Sequence, residues 1–220
     1  MNIEKYKQLI SEVSRHKANL IAVSKTKPVQ DILELYQAGQ KIFGENKVQE
    51  MVSKYEALPK DIEWHLIGHL QTNKVKYIAH FVSLIHSVDS LRLLQEINKQ
   101  AEKSERIISC LFQIFIATEE TKFGLTEDEL IQLLDSTEFS ELKNIRICGL
   151  MGMASNTDDG KKIETEFAGL QKLFTRIKQN YFANDPAFKE ISMGMSSDYK
   201  IALKQGATLI RIGSMIFGDR

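Results

Sequence analysis

The chain has 220 residues, 43% of them hydrophobic and 26% charged, which is the composition of a folded globular protein and not of a disordered one. Twenty-nine basic residues balance twenty-nine acidic ones, which removes the broad positive face of a nucleic-acid binder but leaves room for a local anion pocket. No apolar stretch is long enough to span a bilayer, and the first residues, MNIEKYKQLISEV, are charged and amphipathic, so no membrane association and a cytoplasmic location are expected.

A leading helix is predicted over residues 4–16, with Leu9, Ile10 and Val13 on one side; it could plug the lower mouth of whatever follows. Strand patterns then alternate with helical ones to the end of the chain. The strands are expected at 20–24, 41–44, 63–68, 84–88, 108–117, 145–151, 189–193 and 208–213. Several are near-continuous apolar runs, the pattern of parallel strands covered on both faces.

Helix boundaries carry their own signals. Pro28 suits a helix start and Gly39 a helix end; Thr126 with Glu129 forms a capping box. Asn46 and Gln49 have the spacing of a second capping pair. Ile163, Phe167, Leu170, Phe174, Ile177 and Tyr181 mark one buried stripe, and Gly206 closes the last inter-strand helix. Eight uninterrupted β-then-α units predict an α/β fold, a single (β/α)8 TIM barrel with an extra N-terminal helix. The whole chain, 1–220, reads as one domain, with the leading helix at 1–18 and the barrel at 20–218. An open sheet with misassigned edge strands is the alternative, although no G-x-G-x-x-G follows any strand.

In a barrel the chemistry sits at the carboxyl ends of the strands. Those ends read Ser24-Lys25-Thr26, Gly44-Glu45-Asn46, Gly68-His69, Ser87, Thr118, Gly152-Met153, Ser192-Met193-Gly194-Met195-Ser196 and Arg211-Ile212-Gly213-Ser214. A lysine at position 25 would aim its amine into the barrel mouth, where partial desolvation favours the neutral, nucleophilic form; its bland alternative is a solvated loop lysine. The segments after strands seven and eight combine serines, glycines and a helix start, the ingredients of an anion cradle. Taken separately each is ordinary turn chemistry. Together they supply an aldehyde-capturing amine and a phosphate grip, the two things pyridoxal 5′-phosphate needs.

Other residues invite blander readings. His65 and His69 lack the helical spacing and the glutamate of a zinc motif, so no metal site is expected; His65 is placed inside the barrel and His69 in a loop. Cys110 and Cys148, each in an apolar run, read as buried free thiols, and Met193 and Met195 as packing around the phosphate turn. Lys74 and Lys76 read as a solvated helix face.

The segments AVSKTKP (22–28), FGENKVQE (43–50), WHLIGHLQTNKVK (64–76), IHSVDS (85–90), TKFGL (121–125), GLMGMAS (149–155), SMGMSSDYKIAL (192–203) and IRIGSMIFG (210–218) resemble, in this order, the YggS/PROSC family of pyridoxal phosphate homeostasis proteins. The resemblance implies a barrel like the N-terminal domain of bacterial alanine racemase, with pyridoxal phosphate held as a Schiff base on Lys25. It further implies that Ser192, Met193, Gly194, Ser196, Gly213 and Ser214 surround the phosphate. Arg211 would approach the pyridine nitrogen, and Asn46 the ring or its 3′-oxygen. A cation at the ring nitrogen disfavours its protonation and weakens the ring as an electron sink, so the resemblance points to buffering and delivery of the cofactor, to pyridoxal phosphate-dependent apoenzymes, by a monomer without a strong activity of its own. The alternative is an amino-acid racemase or another enzyme of that fold type, which needs a second acid/base group; Tyr199 is the nearest candidate, expected to face the barrel wall. Two positions depart from the family: Phe115 stands where asparagine is usual, and Ser214 where threonine is usual.

Overall fold

The computed structural model describes residues 3–117 and 123–218. After helix α1 (Ile3–Arg15), the elements run β1 (Asn19–Val23), α2 (Val29–Gln37), β2 (Ile42–Glu45), α3 (Val48–Ala57) and β3 (Glu63–Leu66). A 3-10 turn at Thr72–Tyr77 replaces a helix before β4 (Leu84–Val88). There follow α4 (Leu91–Lys103), β5 (Ile108–Ile114), α5 (Glu127–Leu134), α6 (Thr137–Ser140), β6 (Ile145–Gly152) and α7 (Gly160–Tyr181). The chain closes with β7 (Glu190–Ser192), α8 (Tyr199–Lys204), β8 (Leu209–Ile212) and α9 (Ser214–Phe217).

The strands form a closed barrel in chain order, with every neighbouring pair parallel and β8 returning to β1 through Leu20↔Ile210 and Ile21↔Arg211. This is the (β/α)8 barrel expected from the alternating pattern. Residues two apart share a face of a strand. Leu209 therefore packs inside with Ile21, Leu84, Leu111 and Met151, as an apolar layer in the barrel, while Arg211 stands two positions further towards the carboxyl end. The outward faces meet the helices in the main core, where Phe43, Trp64, Phe112 and Phe167 are wholly buried.

Four strands, β3, β5, β7 and β8, are shorter than expected, two of them for visible reasons. Strand β5 stops at Ile114, because Phe115 donates its N–H to Leu125 O and Leu125 donates to Gln113 O, so the chain at 123–125 takes over that edge. Strand β7 is only three residues, ended where Gly194 turns at φ +91 and would bring a Cβ to 2.5 Å from that of Ala202. The capping box at Thr126 and Glu129 forms, and Gly39 and Gly206 take positive φ just after their helices.

Helix α1 does not plug the barrel. It lies against β1 and α9 on the outer wall, burying Tyr6, Leu9 and Val13. The physical reason is that the layer of Ile21, Leu84, Leu111, Met151 and Leu209 already packs the interior, while the helix after β8 is only four residues and leaves outer surface to cover. Tyr199 Oη donates to Glu12 Oε2 across 3.0 Å and ties α8 to this helix. Among the described residues no helix is long and apolar enough to cross a membrane.

Candidate functional site

At the carboxyl ends of β1, β2, β3, β6, β7 and β8 the barrel opens into a cavity of about 530 Å3, within the range of small-molecule sites. Its lining includes Lys25, Asn46, Met153, Ser196, Arg211 and Ser214. Lys25, Lys27 and Arg211 bring three cationic side chains to it, and no carboxylate is among the described lining residues. Such a cavity favours a compact anion.

Lys25 leaves β1 on a turn closed by Lys27 N–H donating to Ser24 O at 3.0 Å. Thr26 sits in the left-handed region at φ +65, an uncommon place for a β-branched residue, at a cost of about 1–3 kcal/mol. Behind this turn is a charged cluster between the strand ends and α3. Lys54 Nζ donates to Glu45 Oε1 at 2.7 Å, to Glu50 Oε1 at 2.6 Å and to Ser24 O at 2.7 Å. Ser24 Oγ donates to Glu45 Oε1 at 2.6 Å, and Thr26 N–H to Glu50 Oε1 at 2.5 Å. Burial raises the Glu45 carboxyl above its usual range, against the pull of Lys54 and Ser24. At Glu50 burial also pushes upward, but Lys54 and the Thr26 N–H outweigh it and hold the carboxyl below its usual range.

Below the cavity floor a ladder of polar side chains crosses the barrel. Arg211 Nη1 donates to Ser192 Oγ at 2.5 Å and Nη2 to Gly152 O at 3.1 Å. Ser192 Oγ lies 2.9 Å from His86 Nδ1, and His86 Nε2 lies 3.1 Å from His65 Nδ1. A guanidinium can only donate, so Arg211 Nη1 takes one acceptor lone pair of Ser192 Oγ, and the ladder runs on through the two imidazoles, each ring nitrogen facing its neighbour as donor or acceptor according to tautomer. Both imidazoles are buried and neutral: burial takes His65 down to about 3, and burial, His65 and Arg211 take His86 well below its ordinary value. Burial lowers Arg211 to about 10, which leaves it charged at neutral pH.

The sequence-predicted residues divide between these two layers. Lys25, Asn46, Ser196, Arg211, Gly213 and Ser214 meet in the cavity. Ser214 Oγ donates to Ser196 Oγ at 3.1 Å, and a Cβ on Gly213 would come within 2.9 Å of Val23 O. Ser192, Met193 and Gly194 do not line it. Ser192 is wholly buried in the ladder and Met193 wholly buried in the core, while Gly194 O accepts from Arg211 N. The capping role expected of Asn46 is not formed. Lys47 is the residue at that helix start, without a side-chain cap, because Val48 is the first helical residue; Asn46 Oδ1 is left buried with no partner.

His69 lies in a loop, 3.4 Å from Asp89 and stacked on Phe123, while His65 turns inward to His86, so the two histidines serve separate surroundings. Cys110 is buried, whereas Cys148 is half-buried. Phe115 stands outside the cavity lining, and Thr118, Thr121 and Lys122 lie outside the described residues. Sequence reasoning did not single out Lys27, whose Nζ donates to Gly218 O at 3.1 Å beside the cavity, nor the Glu45–Lys54–Glu50 cluster. Lys27 had a signal in its place two residues after Lys25. The cluster had none, since Glu50 and Lys54 read as an ordinary helix-surface pair.

The family model described as alanine racemase, N-terminal domain, matches residues 2–220. The pyridoxal phosphate homeostasis protein of Aquifex aeolicus is 41% identical over 204 residues, covering 92% of this chain and 87% of that protein. The one from Helicobacter pylori is 37% identical over 99% of this chain and 95% of its own. Among solved structures, PipY of Synechococcus elongatus without PLP aligns with a TM-score of 0.92 at 34% identity, over 99% of this chain and 100% of its own. PipY with PLP bound aligns at 0.88 and 34%, over 98% and 99%. An alanine racemase from Bartonella henselae shares the fold, with a TM-score of 0.72 at 17% identity over 99% of this chain and 58% of its own. The chain therefore belongs to the alanine racemase N-terminal-domain family, among the pyridoxal phosphate homeostasis proteins.

Proposed function

We propose that this protein holds pyridoxal 5′-phosphate covalently on Lys25 and serves in the homeostasis of that cofactor, buffering it and passing it to apoenzymes. The observation that carries this reading is the cavity itself: one lysine on a turn after β1, faced by hydroxyls and a buried arginine from the last two strands, with three cationic side chains and no carboxylate in the described lining. The residues fit the group. Asn46 Oδ1 is an orphaned polar atom at the cavity wall, and Gly213 keeps the wall thin where a Cβ would meet Val23 O. In the turn after β7 the N–H groups of Asp198 and Tyr199 go to Met195 O, and among the described residues those of Ser196 and Ser197 have no backbone acceptor, which suits them to an anion.

When bound, pyridoxal phosphate supplies an aldehyde for amines and a ring able to draw electrons from them. This chain's own residues favour holding. Ser196 and Ser214 offer hydroxyls to the phosphate, with Lys27 nearby to balance its charge. Arg211, pinned by Ser192 and Gly152 O, would face the ring nitrogen as a donor and cannot lend it a proton at neutral pH. A racemase needs a second acid/base group opposite Lys25. Tyr199 does not fill that role: burial and its bond to Glu12 take it up to about 12 and turn it towards α1.

The test is titration with pyridoxal phosphate, followed by absorbance and by borohydride trapping with peptide mapping. A stable adduct on Lys25 that disappears in Lys25→Ala is expected. An unchanged adduct in Lys25→Ala would refute the tether. Deuterium exchange at the α-carbon of amino acids should stay near background; rapid Lys25-dependent exchange would favour the racemase reading. The monomeric state and cytoplasmic location expected from the sequence remain part of this proposal, tested by sedimentation and by fractionation.

A further inference from the structure

We propose that Glu50, backed by Lys54 and Glu45, is the positioning residue of the Lys25 tether, acting by holding the peptide between Lys25 and Thr26 in one orientation. This rests on the reading of Lys25 as the covalent attachment point. Residues 24–27 form a β-turn, with Lys25 and Thr26 at its centre and Lys27 N–H on Ser24 O at 3.0 Å. Thr26 has φ +65 and Lys25 does not have positive φ, which makes it a type II turn. Type I and type II turns differ by a flip of their central peptide, and type II asks for glycine at the second central position. Threonine occupies that position here, so local preference opposes the observed form.

The charged cluster supplies the missing preference. The N–H of the central peptide belongs to Thr26, and it donates to Glu50 Oε1 at 2.5 Å. A flipped peptide would turn that N–H away and bring the Lys25 carbonyl towards the carboxylate. Lys54 grips the carbonyl that opens the turn, Ser24 O at 2.7 Å, and bridges both carboxylates, while Ser24 Oγ anchors to Glu45 at 2.6 Å. The residues on both sides of Lys25 are thus held by side chains that do not themselves line the cavity. The Lys25 side chain then leaves the turn along one direction. Attachment forms a C=N bond between its Nζ and the aldehyde carbon, and the aldehyde oxygen departs as water with the two amine protons, so the amine must reach that carbon squarely.

A cluster that merely packs α3 on the barrel would lower stability without separating attachment from docking. Glu50→Ala is therefore compared with the double variant Glu50→Ala/Thr26→Gly, in which glycine restores the type II preference without the carboxylate. Pyridoxal phosphate reports attachment through the adduct absorbance, and 4-deoxypyridoxine phosphate, which has no aldehyde, reports docking by calorimetry. Glu50→Ala is expected to weaken attachment about tenfold, the scale of the left-handed penalty, with analogue binding changed less than about twofold and attachment recovered by Thr26→Gly. Wild-type attachment in Glu50→Ala would overturn the proposal, as would equal loss of attachment and docking without recovery by glycine. Should Glu50→Ala not fold, Glu50→Leu, which fills the space without an acceptor for Thr26 N–H, carries the same comparison. An adduct that survives Lys25→Ala would refute the tether itself, whereas an unaffected Glu50→Ala refutes only the positioning role.

Discussion

Lowering the pH from about 7.5 to about 5 sets the buried histidines of the ladder against the unfolded chain. In the folded protein burial takes His65 from 6.5 down to about 3, so across this range it stays neutral. In the unfolded chain it takes up a proton below about 6.5. The unfolded state then binds more protons, and stability falls as the pH falls through that window. At about pH 5 the gap to 6.5 is about 1.5 pH units, which at 1.36 kcal/mol per unit costs about 2 kcal/mol. His86 has the same sign and deepens the loss, in a domain whose whole margin is of order 5–15 kcal/mol. Glu45 acts oppositely: its raised carboxyl favours the folded state as the pH falls. The assay must therefore isolate the histidine. His65→Asn keeps a side-chain amide, able to donate or accept, opposite His86 Nε2 but does not titrate. Urea unfolding of both proteins, without cofactor, at the two pH values gives the difference directly. The wild type should lose about 2 kcal/mol more than His65→Asn on acidification. Equal losses, within about 0.5 kcal/mol, would refute the neutral buried ladder.

Further expectations follow from the same geometry. Ser192→Ala leaves Arg211 Nη1 and His86 Nδ1 without their shared partner, so unfolding should show a loss of about 2–4 kcal/mol, and the bound cofactor's absorbance should shift because Arg211 is no longer pinned. Gly149→Ala would place a Cβ 1.8 Å from Glu190 O at φ +148, and should cost about 3–5 kcal/mol or prevent soluble expression. Thr126→Ala removes one half of a formed capping box and should lower stability by about 1 kcal/mol in urea unfolding, with cofactor attachment unchanged.

Much of the site was legible because strand ends can be read from the pattern. A lysine at the end of an apolar run, and small residues after the last two strands, fall at the barrel mouth once eight units are counted. Asn46, Ser196, Arg211, Gly213 and Ser214 reach the cavity for that reason. Ser192 shows where this reasoning stops. It precedes the turn by a few residues, and the period-two alternation carries its hydroxyl beneath the floor, to partners 106 residues earlier and 19 later. The Glu45–Lys54–Glu50 cluster was illegible for a different reason: a glutamate and a lysine four apart on a helix look solvated until the end of β1 is laid over them.

The sequence by itself determined the order of the elements, their β-then-α alternation and the strand end where Lys25 emerges, because hydrophobic period and local capping act over a few residues, while closure of the sheet rests on the distant pairing of β8 with β1. Only the tertiary structure decided which polar side chains work as groups. The ladder from Arg211 to His65 and the clamp behind Lys25 each join elements distant along the chain. Their hydrogen bonds depend on separations of 2.5–3.1 Å that no local pattern encodes. Burial of those groups is likewise a property of the closed barrel, and it is what turns an ordinary histidine into one that stays neutral and a helix-surface pair into a device that holds a turn.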